Sequence, residues 1–225
     1  MLSRMMLRKM PPVKSSKTPT RKERAAATRH KIVAAATSLF AERGYQATTM
    51  SEIARAADVA VQTVHFVFHT KAALLNEAFE TAVLSDLGPP AQQPWFHALA
   101  HETDGRKLLA SIVANVAPIA ERAAPLSRVI RAAPDEDAAA VWARQEQLRR
   151  DGYHHMIGLL AADGRLRADL NVEPATDILM FILGPDSYQI LVNDYGWTTQ
   201  RWKSWAAETL TQQLLSPTPK PKRRT

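Results

Sequence analysis

The sequence predicts an all-α protein, with an N-terminal three-helix domain and a larger helical domain behind it. Between the two ends of the chain, nearly every segment repeats its apolar residues at the helical spacing of three and four. No segment alternates apolar and polar residues over the length of a strand. The 225 residues include only eight glycines, which agrees with long helices joined by few tight turns.

The composition excludes several classes of protein. Hydrophobic residues make up 46% of the chain and charged residues 23%, so it is neither wholly disordered nor collagen-like. The absence of cysteine excludes disulfides, thiolate catalysis and cysteine-ligated metal centres. The most apolar short run, residues 178–183, is far below the roughly 18 residues of a spanning helix. We therefore expect a soluble, cytoplasmic protein that does not enter a membrane.

Charge is divided unevenly along the chain. The net charge is +7, and residues 1–24 alone hold eight Lys and Arg side chains against Glu23. The last ten residues add four cations and no acid, whereas residues 79–215 are acidic overall. Cationic ends suit a protein that holds a polyanion, although basic tails also occur simply for solubility. We interpret residues 1–25 as a disordered basic arm and residues 216–225 as a disordered basic tail.

The first hundred residues predict a helix-turn-helix. A first helix is expected over residues 26–43, with Gly44 as its stop. Thr49 and Glu52 have the spacing of a capping box, which predicts the start of a short second helix. After a three-residue turn, a third helix is expected over residues 61–68. Two short helices joined by a tight turn behind a longer helix form a helix-turn-helix motif.

About fifty contiguous residues, 28–78, carry a specific series of motifs. They contain the link LFAERGY, the second-helix segment TTMSEIARAADV, and a third segment that ends in FHTK before AALL. This series resembles the DNA-binding domain of the TetR family of bacterial transcriptional regulators. The resemblance implies a DNA-binding domain at 26–86, with its motif at about 49–68, and a ligand-binding and dimerisation domain at 87–215.

Two positions depart from the family pattern. Ala60 stands where the family usually has Ser or Thr as the N-cap of the recognition helix, which loses a cap worth roughly 1 kcal/mol. His65 stands at the usual phosphate-contacting Tyr, and its imidazole can still donate a hydrogen bond.

The resemblance implies which residues contact DNA. An exposed polar helix face is often only a solvated one, but here the motif presents that face to a major groove. In the groove Gln62 can bind adenine through two hydrogen bonds, and Val61 can touch a thymine methyl group. We expect Lys71 to contact the phosphate backbone, and the arm to follow the minor groove or phosphates. The expected DNA-binding residues are Thr49, Ser51, Val61, Gln62, Thr63, His65 and Lys71, with Arg21, Lys22 and Arg24 of the arm.

A small-molecule effector is expected in the second domain. Residues 106–123 predict a helix interrupted at Pro118, residues 126–133 a short helix, and residues 134–162 a long helix. Gly152 lies within an apolar stripe of the long helix, which is either ordinary core or the wall of a pocket with one polar group. The expected ligand-binding residues on this stripe are Trp142, His155 and Met156.

Two closing helices are expected at 173–194, kinked at Gly184, and at 198–215. The resemblance implies that this pair packs against its copy as a four-helix bundle, so that the same patch meets itself in a two-fold dimer. The expected interface residues are Ile178, Ile182, Trp202, Trp205, Thr209 and Leu210.

We interpret the chain as a sequence-specific DNA-binding transcriptional regulator of bacteria. It is expected to be a ligand-responsive repressor that binds an inverted-repeat operator as a homodimer on the nucleoid. Two alternatives are a ligand-independent architectural DNA-binding protein, which the basic ends favour, and a helical enzyme or metal-binding protein. The last is weakened because His97 and His101 lack a patterned third ligand, and no catalytic motif or cofactor loop is present. We expect no metal, no cofactor and no enzymatic activity.

Overall fold

The computed structural model describes residues 20–84, 88–133 and 136–216. Within these ranges the regular structure is helical, apart from an isolated antiparallel bridge between Leu166 and Leu215. The all-α prediction is confirmed. None of the helices in these ranges has the length and apolar character that crossing a membrane requires. Most of the predicted basic arm, residues 1–19, and nearly all of the predicted tail, residues 217–225, lie outside the described residues.

Four helices form the N-terminal part of the protein: α1 (Arg21–Ala47), α2 (Met50–Ala56), α3 (Val61–Phe68) and α4 (Lys71–Leu84). Helix α1 begins five residues before its predicted start, because Thr20 and Glu23 form a capping box in which each side chain accepts from the other's backbone N–H. The prediction of disorder was therefore wrong for residues 21–25, which form the first turns of a helix.

Helix α1 is interrupted at Gly44, the residue predicted to stop it. Gly44 has φ 80° and ψ 170°, a conformation that a residue without Cβ adopts at little cost. The buried Thr48 closes this bend, since its hydroxyl lies 2.8 Å from the Gly44 carbonyl and 3.2 Å from the Leu39 carbonyl. Helix α2 begins two residues after this bend is closed, at Met50.

Six helices follow: α5 (Pro94–Ala98), α6 (Gly105–Ala132), α7 (Glu136–Ala162), α8 (Val172–Ile182), α9 (Pro185–Tyr188) and α10 (Thr199–Leu214). A π-helical turn, Gln189–Asp194, continues α9. The predicted break at Pro118 was wrong, because α6 is one helix with Pro118 and Pro125 inside it. Both prolines are exposed, while buried residues line the opposite face of α6 along its whole length. Packing of that face therefore outweighs a proline cost of about 3 kcal/mol.

The buried apolar residues form two cores. The first joins α1–α4 to residues from the C-terminal half of α6 and to Ala138 of α7. The second joins the rest of α6 and α7 to α8, α9 and α10, around Trp202 and Tyr188. The predicted domain boundary at residue 87 lies outside the described residues. Helices α6 and α7 both contribute residues to the two cores. These two helices connect the N-terminal helices to the rest of the protein.

Candidate functional site

Helices α2 and α3 form the candidate site, and buried residues fix their orientation. Ile53 and Ala54 of α2 and Val64 and Phe68 of α3 are buried in the first core. The turn between the helices contains Asp58 at φ 55°, a left-handed conformation that Asp tolerates better than most residues. As the sequence predicted, Ala60 provides no side-chain cap for α3. The face of α3 opposite Val64 and Phe68 is left toward solvent.

Four of the ten predicted contact residues lie on α3. Gln62 and His65 are exposed and Thr63 is half-buried, whereas Val61 is half-buried and packs against the first core. Phe66, on the outward face of α3, is 81% exposed. Phe66 was missed by the sequence analysis, although its position two residues from both core residues of α3 signals an outward direction. This face combines hydrogen-bonding and apolar groups on a single short helix.

The start of α2 is held by the predicted capping box. The Glu52 amide donates to the Thr49 hydroxyl at 3.2 Å, and the Thr49 amide donates to the Glu52 carboxylate at 2.9 Å. The hydrogen bond from the Thr49 backbone holds the pKa of Glu52 below its ordinary value. Thr49 and Ser51 are both exposed. The Thr49 side chain therefore caps the N-terminus of α2.

Lys71 is placed differently from its prediction. Its ammonium group donates to the carbonyls of Tyr45 at 2.8 Å and Thr48 at 3.1 Å, and lies 4.2 Å from the centroid of the Tyr45 ring. The side chain is half-buried and ties the start of α4 to the end of α1. The ammonium group of Lys71 therefore stabilises the bend at the end of α1. It does not extend into solvent, where it was expected to contact phosphate.

We expect Lys71→Ala to lower the free energy of unfolding by about 1.5–3 kcal/mol, the range for losing hydrogen bonds to a charged donor. The hydrogen bonds from the ammonium group to two carbonyls at the end of α1 are lost, together with the cation–π contact with Tyr45. Urea unfolding followed by circular dichroism measures the change. Lys31→Ala, at an exposed position of α1, is the matched control and should change stability by less than about 0.5 kcal/mol. Equal stabilities of the two variants would contradict this role.

Arg29 connects three helices of the domain. Its guanidinium forms a paired hydrogen bond with the Glu77 carboxylate on α4 and lies 4.6 Å from the centroid of the Phe68 ring on α3. The hydrogen bonds that Arg29 donates to the Glu77 carboxylate raise the pKa of Arg29 above its ordinary value. The predicted arm residues Arg21, Lys22 and Arg24 lie exposed on the first turn of α1, as part of a helix and not of an extended arm.

The structure does not bring the predicted ligand-binding residues together. Trp142 packs against the first core and Met156 lies in the second, about 21 Å apart along α7 at 1.5 Å per residue. His155 is exposed and stacks on Phe96, with ring centroids 5.2 Å apart. The residues of the apolar stripe on α7 therefore pack into two different cores and do not line one pocket.

Two open cavities lie elsewhere. One of 580 Å³ is between α1, α4 and α6, and its wall includes Arg29, His30, Glu77 and Arg122. The other, of 780 Å³, is near the end of α10, beside Arg106 and Arg167 among others. In the described ranges no three His, Asp or Glu side chains are grouped as metal ligands.

The predicted dimer residues fall into two groups. Ile182, Trp202 and Leu210 are buried inside the protomer, so they cannot form its outer surface, and their assignment to the interface was wrong. Ile178, Trp205 and Thr209 are half-buried.

The large apolar side chains that α7 and α8 do expose are Leu148, 55% exposed, and Phe181, 80% exposed. The two helices are joined at this level by the Arg149 guanidinium, which donates to the Met180 carbonyl at 2.8 Å. We call Leu148, Ile178 and Phe181 the α8 face.

Comparison with known proteins gives a family for one domain and a fold for the chain. Residues 32–78 match the family model of the bacterial regulatory proteins of the tetR family. No curated protein sequence matches the chain significantly.

Among solved structures, NalD, the secondary repressor of the MexAB-OprM multidrug efflux pump in Pseudomonas aeruginosa, is 21% identical with a TM-score of 0.67, covering 86% of this chain and 98% of that one. FadR from Bacillus subtilis in complex with stearoyl-CoA is 17% identical with a TM-score of 0.67, covering 82% and 98%. The SmeT–triclosan complex is 17% identical with a TM-score of 0.62, covering 87% and 100%.

Proposed function

Since the N-terminal domain of this chain belongs to the tetR family of bacterial regulatory proteins, we propose that the protein is a repressor that binds an inverted-repeat operator as a homodimer. The chain has the fold of a TetR-family transcriptional regulator. The observation that carries the proposal is the outward face of α3, where Gln62, His65 and Phe66 are exposed opposite a buried Val64 and Phe68. A single α-helix with such a face fits the width of a DNA major groove.

Each group on this face has a role in the proposal. Gln62 binds the N6 and N7 positions of an adenine, and Val61 lies against a neighbouring thymine methyl group. Thr63 and His65 donate to phosphate oxygens on either side of the groove. Thr49 and Ser51 contact the backbone from the start of α2. Arg21, Lys22 and Arg24 add positive charge near the DNA from the start of α1.

The proposal predicts a loss of specificity from Gln62→Ala. Binding to the preferred operator should weaken by about 1–3 kcal/mol, because two hydrogen bonds to one base are lost, while binding to random duplex should not change. Titration of fluorescent duplexes at fixed salt measures both affinities. Gln200→Ala, exposed at the start of α10, is the control that should leave both affinities unchanged. An equal loss on the two duplexes would show that Gln62 does not read a base.

A homodimer matches the symmetry of an inverted repeat. Two copies related by a two-fold axis present two α3 helices to half-sites about one helical turn, or a multiple of it, apart. The apolar groups exposed on the α8 face support self-association through the C-terminal helices. A ligand-independent architectural protein, the alternative class, would instead bind every sequence with similar affinity at fixed salt.

We further propose that a small molecule controls operator affinity. FadR was solved with stearoyl-CoA and SmeT with triclosan, and both share the fold of this chain. A route for coupling is supplied by α6 and α7, which belong to both cores. The buried Gln145 of α7 donates to Asn76 of α4 at 3.2 Å, and Arg122 of α6 donates to the Ala82 carbonyl at 2.7 Å. A shift of α6 or α7 would therefore move α4 and the helices beside it.

The effector part of the proposal has its own test. A panel of long-chain acyl compounds and hydrophobic biocides is screened for compounds that raise the Tm of the DNA-free protein. Operator affinity is then measured with and without each compound. A compound that lowers operator affinity a hundredfold must bind the DNA-free form about 2.7 kcal/mol more tightly than the DNA-bound form. If stabilising compounds leave operator affinity unchanged, the effector proposal is wrong and the DNA-binding proposal stands alone.

A further inference from the structure

Phe66 is the most exposed of the large hydrophobic side chains in the described ranges, at 81%. It lies in the middle of α3, where every other phenyl or branched apolar side chain is half-buried or buried. A single exposed apolar side chain is common on protein surfaces, but this one lies on the helix proposed to enter a DNA groove, where an aromatic side chain buried by the partner can contribute strongly to binding.

The direction of the side chain follows from the packing of α3. At about 100° per residue, Phe66 lies about 160° around the helix from both Val64 and Phe68, which are buried. Gln62 is one turn earlier on the same side, at the i,i+4 spacing of neighbours on a helix surface. On the opposite side of α3, the guanidinium of Arg29 lies over the Phe68 ring. Phe66 and Gln62 therefore reach the same stretch of any groove that α3 enters.

The chemistry of a phenyl ring restricts what it can contact there. The ring neither donates nor accepts hydrogen bonds at a base edge, and phosphate oxygens give it no favourable contact. The one apolar group on the floor of the major groove is the C5 methyl of thymine. We infer that Phe66 reads a thymine methyl group, and so selects half-sites in which a thymine lies within one base step of the pair bound by Gln62. This inference rests on the proposed DNA-binding function.

Deoxyuridine substitution tests the inference directly, because it removes only the methyl group. The operator is first selected from a random duplex library with the full-length dimer. Each thymine of the selected half-site is then replaced by deoxyuridine in turn, in both half-sites together. At one position the wild-type protein should lose about fourfold in affinity per half-site, or about sixteenfold for the dimer, the effect of one buried methyl group.

The decisive comparison is with Phe66→Ala. This variant should bind the operator more weakly overall and should lose nothing further from deoxyuridine at that same position. Its thermal unfolding should match the wild type, because the side chain makes no buried contact. Val61→Ala is the matched control, since Val61 is a half-buried apolar residue of the same helix that packs against the first core, and this variant should keep the deoxyuridine effect at the Phe66 position.

Three outcomes overturn the inference. They are a wild type that is insensitive to deoxyuridine at every position, a loss that persists unchanged in Phe66→Ala, or a Phe66→Ala variant with wild-type operator affinity. The last would show that Phe66 serves another partner. Failure of the proposed function is a different result, in which the selection enriches no sequence at all.

Discussion

Phe181→Glu is expected to convert the protein into a folded monomer that has lost most of its operator affinity. Phe181 is 80% exposed on α8, and the half-buried Ile178 lies on the same side of the helix at i,i+3 spacing. In a two-fold interface each patch faces its own copy, so the variant buries two carboxylates in an apolar contact. A monomer engages one half-site instead of two, and its apparent affinity should fall by about 10²- to 10⁴-fold.

Light scattering of the purified variant measures its mass, and titration of the operator duplex measures the affinity. Phe66→Glu is the matched control, because it places the same charge on an equally exposed phenylalanine at the other end of the molecule. That control should stay a dimer and lose only DNA binding. A Phe181→Glu protein that remains a dimer with wild-type operator affinity would show that the interface lies away from the α8 face.

Trp202→Ala is expected to have the largest effect on stability, lowering the free energy of unfolding by about 3–5 kcal/mol, as truncation of a buried aromatic residue does. The side chain is fully buried, its ring lies 5.3 Å from that of Tyr188, and its Nε1 donates to the Ser187 hydroxyl at 3.2 Å. The alanine leaves a cavity in the second core and removes the donor to Ser187.

Denaturant unfolding at several protein concentrations separates this effect from dissociation, because the stability of a dimer depends on concentration and that of a protomer core does not. Trp205→Ala is the control, since Trp205 is one turn along α10 and only half-buried. It should cost clearly less stability than Trp202→Ala. If Trp202→Ala unfolds like the wild type but has the mass of a monomer, Trp202 lies in the dimer interface and not in the second core.

The helix-turn-helix could be predicted from the sequence because its signals are local. The Thr49 and Glu52 capping box, the absence of a cap at Ala60 and the bounds of α3 at 61–68 each depend on residues within one or two turns. Helix α6 was predicted less well, because the local cost of Pro118 was overridden by packing along its opposite face. That packing joins residues far apart in the chain.

The exposure of Gln62 and His65 on α3 could be predicted from the sequence, whereas features of the site that depend on contacts between distant residues could not. Lys71 was assigned to DNA, but its ammonium group meets carbonyls 23 and 26 residues earlier, and no local pattern encodes that distance. Trp202 was assigned to the interface because an apolar helix stripe does not show whether it packs inside a protomer or between two copies. The outward direction of Phe66 can be predicted from the sequence, since its offset from the apolar Val64 and Phe68 places it on the opposite side of α3.

If α3 reads sequence as part of a two-fold dimer, the protein should strongly prefer one duplex over another of equal length. A duplex selected from a random library by the full-length protein is compared with a scrambled duplex of equal length at the same salt concentration, and the ratio of the two Kd values is determined. The selected sequence is expected to be an inverted repeat with half-sites about one helical turn apart or a multiple of it, and to bind at least about 10³-fold more tightly than the scrambled duplex. Selection of no common sequence, with a ratio near one, would show that the protein binds DNA without reading its sequence.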